Sequence, residues 1–156
     1  MSRLERPLLT KTIALTGDIA LRAELTLRIK TDAQSWEPVI FLVDPGTEMT
    51  TLPAARAKQL GIPFPQKPVP RLGITGKSAE VRAGLIRARV DGMGPTEYVF
   101  PCYFIGDPDA LFNPNQPPRF PRNLLGLSGV VDKIRILFDG TPTAQAPHGL
   151  MVIEKI

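Results

Sequence analysis

The chain has 156 residues, 43% of them apolar and 22% charged, with a formal net charge of +4. That length favours a single domain (1–156) built around one hydrophobic core, and the composition excludes a wholly disordered chain. One cysteine, Cys102, and one histidine, His148, exclude an intrachain disulfide framework, a thiolate metal cluster and a multi-histidine zinc site, so no metal is expected. Serine or cysteine catalysis would have to rest on that one imidazole. The 12 arginines and 7 lysines run from Arg3 to Lys155 without forming a basic helix or an arginine-and-aromatic platform, so no nucleic-acid partner is expected. No apolar run reaches the ~18 residues of a membrane-spanning helix. Arg6, Lys11 and Asp18 interrupt the first 20 residues, which therefore do not read as a signal peptide. A cytoplasmic location without a membrane partner is the expectation.

Seventeen prolines and 13 glycines cut the chain into short segments, which suits strands and turns better than long helices. Leu21 to Lys30 alternates, with Ala23, Leu25, Leu27 and Ile29 on one strand face and Glu24, Thr26, Arg28 and Lys30 on the other. Trp36 is expected to pack at a strand start. The run Pro38 to Val43 is apolar throughout and predicts a strand buried on both faces. Pro53 to Gly61 has proline in the first turn, strong helix formers, a late lysine and a terminal glycine, and so predicts a two-turn helix.

Glu80–Val90 and Glu97–Ile105 predict two strands joined by a hairpin connection at Asp91-Gly92-Met93-Gly94-Pro95. On the first, Arg87 and Arg89 share a face and read as solvated. On the second, Cys102 lies among aromatics and reads as a small buried hydrophobe rather than a nucleophile. Asp107 to Arg122 carries five prolines and predicts a long surface loop. A second short helix is expected over Leu127 to Val131, then strands at Ile134–Phe138 and Leu150–Ile153, with His148 exposed. Many short strands and one or two small helices predict an all-β barrel or sandwich.

The segment from Val39 to Gly61 carries the chemistry. An apolar strand ends in Asp44, and Pro45-Gly46-Thr47 turns the chain before the short helix. A carboxylate directly after apolar residues is costly unless it is hydrogen-bonded or faces a cleft. Gly46 offers freedom of backbone angle and lets its N–H approach that carboxylate. An ordinary Asp-Pro-Gly turn is the plainer alternative.

Further along, Leu124-Leu125-Gly126 precedes the second helical segment. An apolar strand leading into Asp-x-Gly-Thr, followed by Leu-Leu-Gly before a short helix, resembles the retropepsin-like single-domain aspartic peptidases, and their bacterial members above all. The likeness runs from about Leu21 to Phe138. It implies an acid-protease barrel with one or two short helices, in which Asp44 is catalytic, Pro45, Gly46 and Thr47 form the supporting turn, and Leu124, Leu125 and Gly126 thread beneath it. Arg71 to Lys77 stands where that family has its β-hairpin flap, and the resemblance gives Gly73, Ile74, Thr75 and Gly76 to substrate binding; a plain Gly-bracketed turn is the alternative.

One copy supplies one such aspartate, so the resemblance implies a homodimer with Asp44 of each subunit at a two-fold axis. The substrate is then a peptide or protein, and no metal or cofactor is needed. Thr10–Leu15 and Leu150–Ile153 are candidates for pairing across that dimer or within the domain. The chain departs from the family at Pro45, which stands where the family carries Thr or Ser. Proline has neither the hydroxyl that interlocks the two turns nor a backbone N–H. A catalytically silent peptide-binding or assembly module, or an unrelated β-barrel binding module, are therefore the rival expectations.

Overall fold

The computed structural model describes residues 2–72, 78–110 and 123–156. The described residues are mostly β, with one short helix among them. Strands β1 (Arg3–Pro7), β2 (Leu9–Thr12) and β3 (Ile19–Arg22) precede β4 (Glu24–Lys30) and β5 (Trp36–Val43). After the Asp44 turn come β6 (Thr50–Pro53) and helix α1 (Ala54–Leu60), then β7 (Val69–Leu72), β8 (Ser78–Val90) and β9 (Tyr98–Ile105). Two-residue β10 (Leu124–Leu125), β11 (Ile134–Asp139) and β12 (Leu150–Lys155) complete the order.

The main sheet runs β4-β5-β10-β6-β9-β8, and a further β4–β8 pairing (Leu27↔Val90 to Ile29↔Ala88) closes it into a ring. Strand β7 adds to the edge of β8 outside that ring. Closure leaves no ring strand with a wholly open edge, which removes the usual liability of sheet edges. Inside lie Leu25, Leu27, Ile29, Phe41, Leu52, Ile86, Phe100 and Phe104, all fully buried. A second sheet, β1-β12-β11, lays Leu4, Met151, Ile153 and Ile134 on the same core.

Local sequence explains most of these bounds. Helix α1 starts directly after Pro53, whose missing N–H costs nothing there. It ends at Gly61, whose φ of 72° closes a left-handed cap with N–H bonds back to the Ala57 and Lys58 carbonyls. Strands β8 and β9 pair antiparallel from Val81↔Ile105 to Ala88↔Tyr98, and Gly92 and Gly94, at φ 88° and 84°, turn the connection between them.

Three expectations need correction. Leu21–Lys30 is not one strand: it breaks at Ala23, with Leu21 paired to Thr10 in a separate β2–β3 hairpin and Glu24 paired to Leu42 in the barrel. The Ala23 carbonyl accepts the Val43 N–H at 2.8 Å, so the chain bends there to join the ring. The Pro38–Val43 run is not buried on both faces. Val39, Phe41 and Val43 point into the core while Ile40 is 57% exposed, because β5 is a wall of a one-layer barrel with its other face outward. Leu127–Val131 is not a helix but a pair of tight turns. Gly129 takes a φ of 69°, which stops helical propagation, and bonds to the Leu127 and Val130 carbonyls close each turn.

The terminal strands pair within the chain. Strand β12 uses both edges, to β1 and to β11, and β2 pairs with β3. The one-sided burial of β5 gives a direct expectation. Phe41→Ala lowers unfolding free energy by about 3–5 kcal/mol, whereas Ile40→Thr stays within about 0.5 kcal/mol of the parent. Urea denaturation followed by tryptophan fluorescence measures both.

Candidate active site

Asp44 leaves the end of β5, and the four residues Asp44-Pro45-Gly46-Thr47 form a β-turn closed by the Thr47 N–H bonded to the Asp44 carbonyl at 3.0 Å. Proline at the second position is what such a turn favours. The partly buried Asp44 carboxylate is held on both oxygens. Oδ1 accepts the Gly46 N–H at 3.0 Å and Oδ2 accepts the Thr47 hydroxyl at 2.8 Å. Glycine at 46 is explained by space and not, as the sequence suggests, by backbone angle. Its φ is not left-handed, but a Cβ there would stand 3.2 Å from Asp44 Oδ1.

These bonds alone are those of any Asx-type turn. What sets the turn apart is the strand beneath it. Strand β10 runs parallel to the end of β5 (Leu124↔Leu42, Leu125↔Val43) and antiparallel to β6 (Leu124↔Thr51). The Leu42 N–H reaches the Asn123 carbonyl at 2.9 Å and the Asp44 N–H reaches that of Leu125 at 3.1 Å. Past β10, the Leu127 and Ser128 N–H groups bond back to the carbonyls of Thr47 and Glu48 at 3.1 and 2.8 Å. Leu124, Leu125 and Gly126 are buried. A Cβ on Gly126 would lie 2.5 Å from the Met49 carbonyl carbon, so only glycine lets the two backbones pass.

The structure therefore brings together Asp44, Pro45, Gly46, Thr47, Leu124, Leu125 and Gly126. The proposed flap residues Gly73, Ile74, Thr75 and Gly76 lie outside the described residues. Strands β7 and β8 on either side of them are paired as far as Leu72↔Ser78. One contributor is missed by the sequence reading. Thr50 is fully buried, and its Oγ1 accepts the Gly126 N–H at 3.1 Å. A hydroxyl at the head of an apolar Thr-Leu-Pro strand was the available signal, since a buried hydroxyl requires a partner.

The conspicuous residues elsewhere have local roles. The Arg89 guanidinium stacks 4.0 Å from the Trp36 ring. Arg87 and Arg89 share Glu97 at 2.6 and 3.2 Å, so they are paired within the chain rather than simply solvated. The hydrogen bond from Arg87 holds the Glu97 carboxyl below its ordinary range. Burial pushes the Cys102 thiol far above its ordinary range, which makes it inert as a nucleophile. Among the described residues no group of His, Cys, Asp and Glu is arranged to hold a metal ion, and no helix is long and apolar enough to cross a membrane.

A cleft of about 860 Å³ lies beyond the C-terminal end of α1, between Phe64, Arg82 and Asp109. Asp44 is not among its lining residues. Arg82, buried in its wall, spans the Gln66 and Gly106 carbonyls and Glu80, each at 3.2–3.3 Å, so it braces the base of β8 rather than presenting a free charge.

No known protein family matches the chain, and no curated protein matches it.

The close passage at Gly126 is testable. Gly126→Ala costs about 1–3 kcal/mol or more through forced separation of β10 from the Met49 backbone. Thr50→Val, which leaves the Gly126 N–H buried and unpaired, costs about 1–3 kcal/mol. Thermal unfolding of both variants measures the losses.

Proposed function

We propose that this chain is an aspartic endopeptidase that acts as a homodimer, with Asp44 of each copy forming one catalytic pair. The reading takes the closed barrel as retropepsin-like, and a cytoplasmic site of action belongs to it. The observation that carries it is the joint geometry of two segments 80 residues apart in sequence: a carboxylate held on both oxygens at the end of β5, and a Leu-Leu-Gly strand bonded beneath its turn. A plain surface turn needs no such support.

The mechanism follows from carboxylate chemistry. Two carboxylates brought to ~3 Å cannot both ionise cheaply, so the pair holds one proton between them. The ionised member takes a proton from a bound water, whose oxygen attacks the scissile carbonyl carbon. The protonated member hydrogen-bonds the carbonyl oxygen, and a proton passes to the leaving amine as the C–N bond breaks. Within each copy the Gly46 N–H and the Thr47 hydroxyl fix the carboxylate plane, so no reorganisation is needed at the moment of attack. The family resemblance assigns to Gly73–Gly76, which lie between β7 and β8 in sequence and outside the described residues, the role of a flap over an extended peptide. No metal, cofactor or covalent intermediate enters.

A specific observation favours a second reading, a silent peptide-binding or assembly module. Pro45 is exposed at the turn and offers neither hydroxyl nor N–H. Thr47, the nearest hydroxyl, already donates to Asp44 of its own copy.

One experiment separates the two. On the peptidase reading the purified chain cleaves a peptide library between acidic and neutral pH, and Asp44→Asn lowers kcat/KM by at least ~10³-fold, the scale of losing a group that acts in the transition state. Cleavage that survives Asp44→Asn rejects the assignment. No cleavage, with measurable peptide binding and recovery of activity in Pro45→Thr, selects the silent module.

A further inference from the structure

The sheet β1-β12-β11 has two outer edges, and they differ. Strand β12 lies between them, and the bonds flanking it fix which amides it uses. The Lys155 N–H reaches the Ser2 carbonyl and the Leu8 N–H that of Gly149, both at 2.9 Å, so β12 bonds to β1 through its odd-numbered residues. The Ile156 N–H reaches the Lys133 carbonyl, so on the other side Glu154, Val152 and Leu150 bond to Arg135, Leu137 and Asp139. Ile136 and Phe138 therefore aim both backbone groups away from β12. On β1 the outward positions include Pro7, whose missing N–H is a common guard of an edge. Strand β11 has no proline and pairs without a bulge from Ile134↔Lys155 to Asp139↔Leu150. Leu137 and Phe138 are 45% and 47% exposed, and among the described residues no strand pairs with this edge.

The side chains of this edge are matched about its middle. Arg135 and Asp139 lie two residues to either side of Leu137 and share its face of the sheet, with Ile136 and Phe138 on the other face. An antiparallel copy turned about a two-fold axis through Leu137 sets Arg135 against the partner's Asp139, Ile136 against the partner's Phe138, and Leu137 against itself. Ile136 and Phe138 then exchange both backbone bonds with their opposites, and Arg135 meets Asp139 at a non-bonded pair, where side chains stand closer. Opposite charges, and an aromatic against a β-branched side chain, are favourable cross-strand pairs. Moving the axis loses this match. Through Ile136, Arg135 falls opposite Leu137 and the pairing calls on the Ile134 N–H, already bonded to the Val130 carbonyl at 3.0 Å. That axis also sets Asp139 against Lys133, whose ammonium is held by the Gly129 carbonyl at 2.6 Å. Through Phe138, Arg135 falls opposite Thr141.

We propose that β11 is a self-pairing edge, through which two copies of this chain join their outer sheets into one continuous sheet. A second copy is the occupant because the charges complement themselves at the same register that satisfies the outward amides, as an isologous contact requires. Both charges are exposed, and their present bonds, Arg135 to Glu154 at 3.2 Å and the Thr141 N–H to Asp139 at 2.9 Å, leave further donors and acceptors. No residue of the Asp44 turn takes part, so the pairing does not rest on the peptidase reading.

The test uses the full chain. Sedimentation velocity from roughly 1 to 100 µM is expected to show a reversible dimer. Leu137→Lys sets two ammonium groups face to face and is expected to weaken that dimer by at least ~10-fold, with the unfolding midpoint unchanged because the side chain is exposed. Arg135→Glu is expected to weaken it to a similar degree, and Arg135→Glu with Asp139→Lys to bring it back to within ~3-fold of the parent, since opposite charges again meet across the axis. Arg135 also pairs with Glu154 of its own chain, so restoration is the deciding readout: a change at position 139 does not repair that internal pair. Leu137→Cys is expected to give a disulfide-linked dimer under mild oxidation, the native Cys102 being buried. Val131→Cys, comparably exposed but off the strand, is not. A chain that is monomeric throughout overturns the pairing. A dimer indifferent to Leu137→Lys overturns it too and leaves the proposed Asp44 pair untouched, for which cleavage is the separate measure. Weakening by Arg135→Glu that Asp139→Lys fails to restore overturns the choice of a second copy as the occupant.

Discussion

The architecture around Asp44 depends on one passage of backbone past backbone. Strand β10 slides between the ends of β5 and β6, and its neighbours satisfy one another in sequence: Leu42 to Asn123, Asp44 to Leu125, Gly126 to Thr50, Leu127 to Thr47 and Ser128 to Glu48. A buried amide left without a partner costs about 1–3 kcal/mol, so removing this strand would strand several groups at once. The passage is possible only because residue 126 has no side chain. The glycine, the buried Thr50 hydroxyl and the Asp44 turn are therefore one structural unit, although 76 residues separate Thr50 from Gly126.

That unit also decides what the carboxylate can do. Both Asp44 oxygens already accept one hydrogen bond from their own turn, and each oxygen retains further acceptor capacity. The side chain is thus oriented but not saturated, the state expected of a group that must also hold a water or a second carboxylate. The same arrangement restricts its neighbour. Thr47 spends its one donor on Asp44, so it does not also donate across a subunit boundary while that bond persists. Pro45 has no donor to contribute. If two copies associate as proposed, their cohesion has to come from surfaces away from the turn.

The sequence carried the alternation of β4, the helix bounds set by Pro53 and Gly61, and the hairpin connection around Gly92 and Gly94, because each rests on local stereochemistry. It carried the Asp44 turn and the Leu-Leu-Gly segment as separate patterns whose relation came only from a family likeness. The structure supplies the contact that joins them. What the sequence misjudged was decided by tertiary placement. The outward face of β5 is as apolar as its inward face, so periodicity could not reveal that Ile40 is exposed. Leu21 continues the β4 pattern of alternation without a mark of the bend at Ala23, since that bend is set by a hydrogen bond to Val43. The segment after Gly126 has helical composition, but it forms turns with Gly129 in the left-handed region.

The candidate catalytic group, partly buried Asp44, stands directly after the last residue of β5. The cleft of about 860 Å³ lies elsewhere, and Asp44 does not line it. For a single carboxylate this would be a weak site: catalysis of peptide hydrolysis needs a base and an acid at once, in a space from which bulk water is excluded. On the proposed peptidase reading both needs are met by a second copy, because the second carboxylate and a second wall then arrive together.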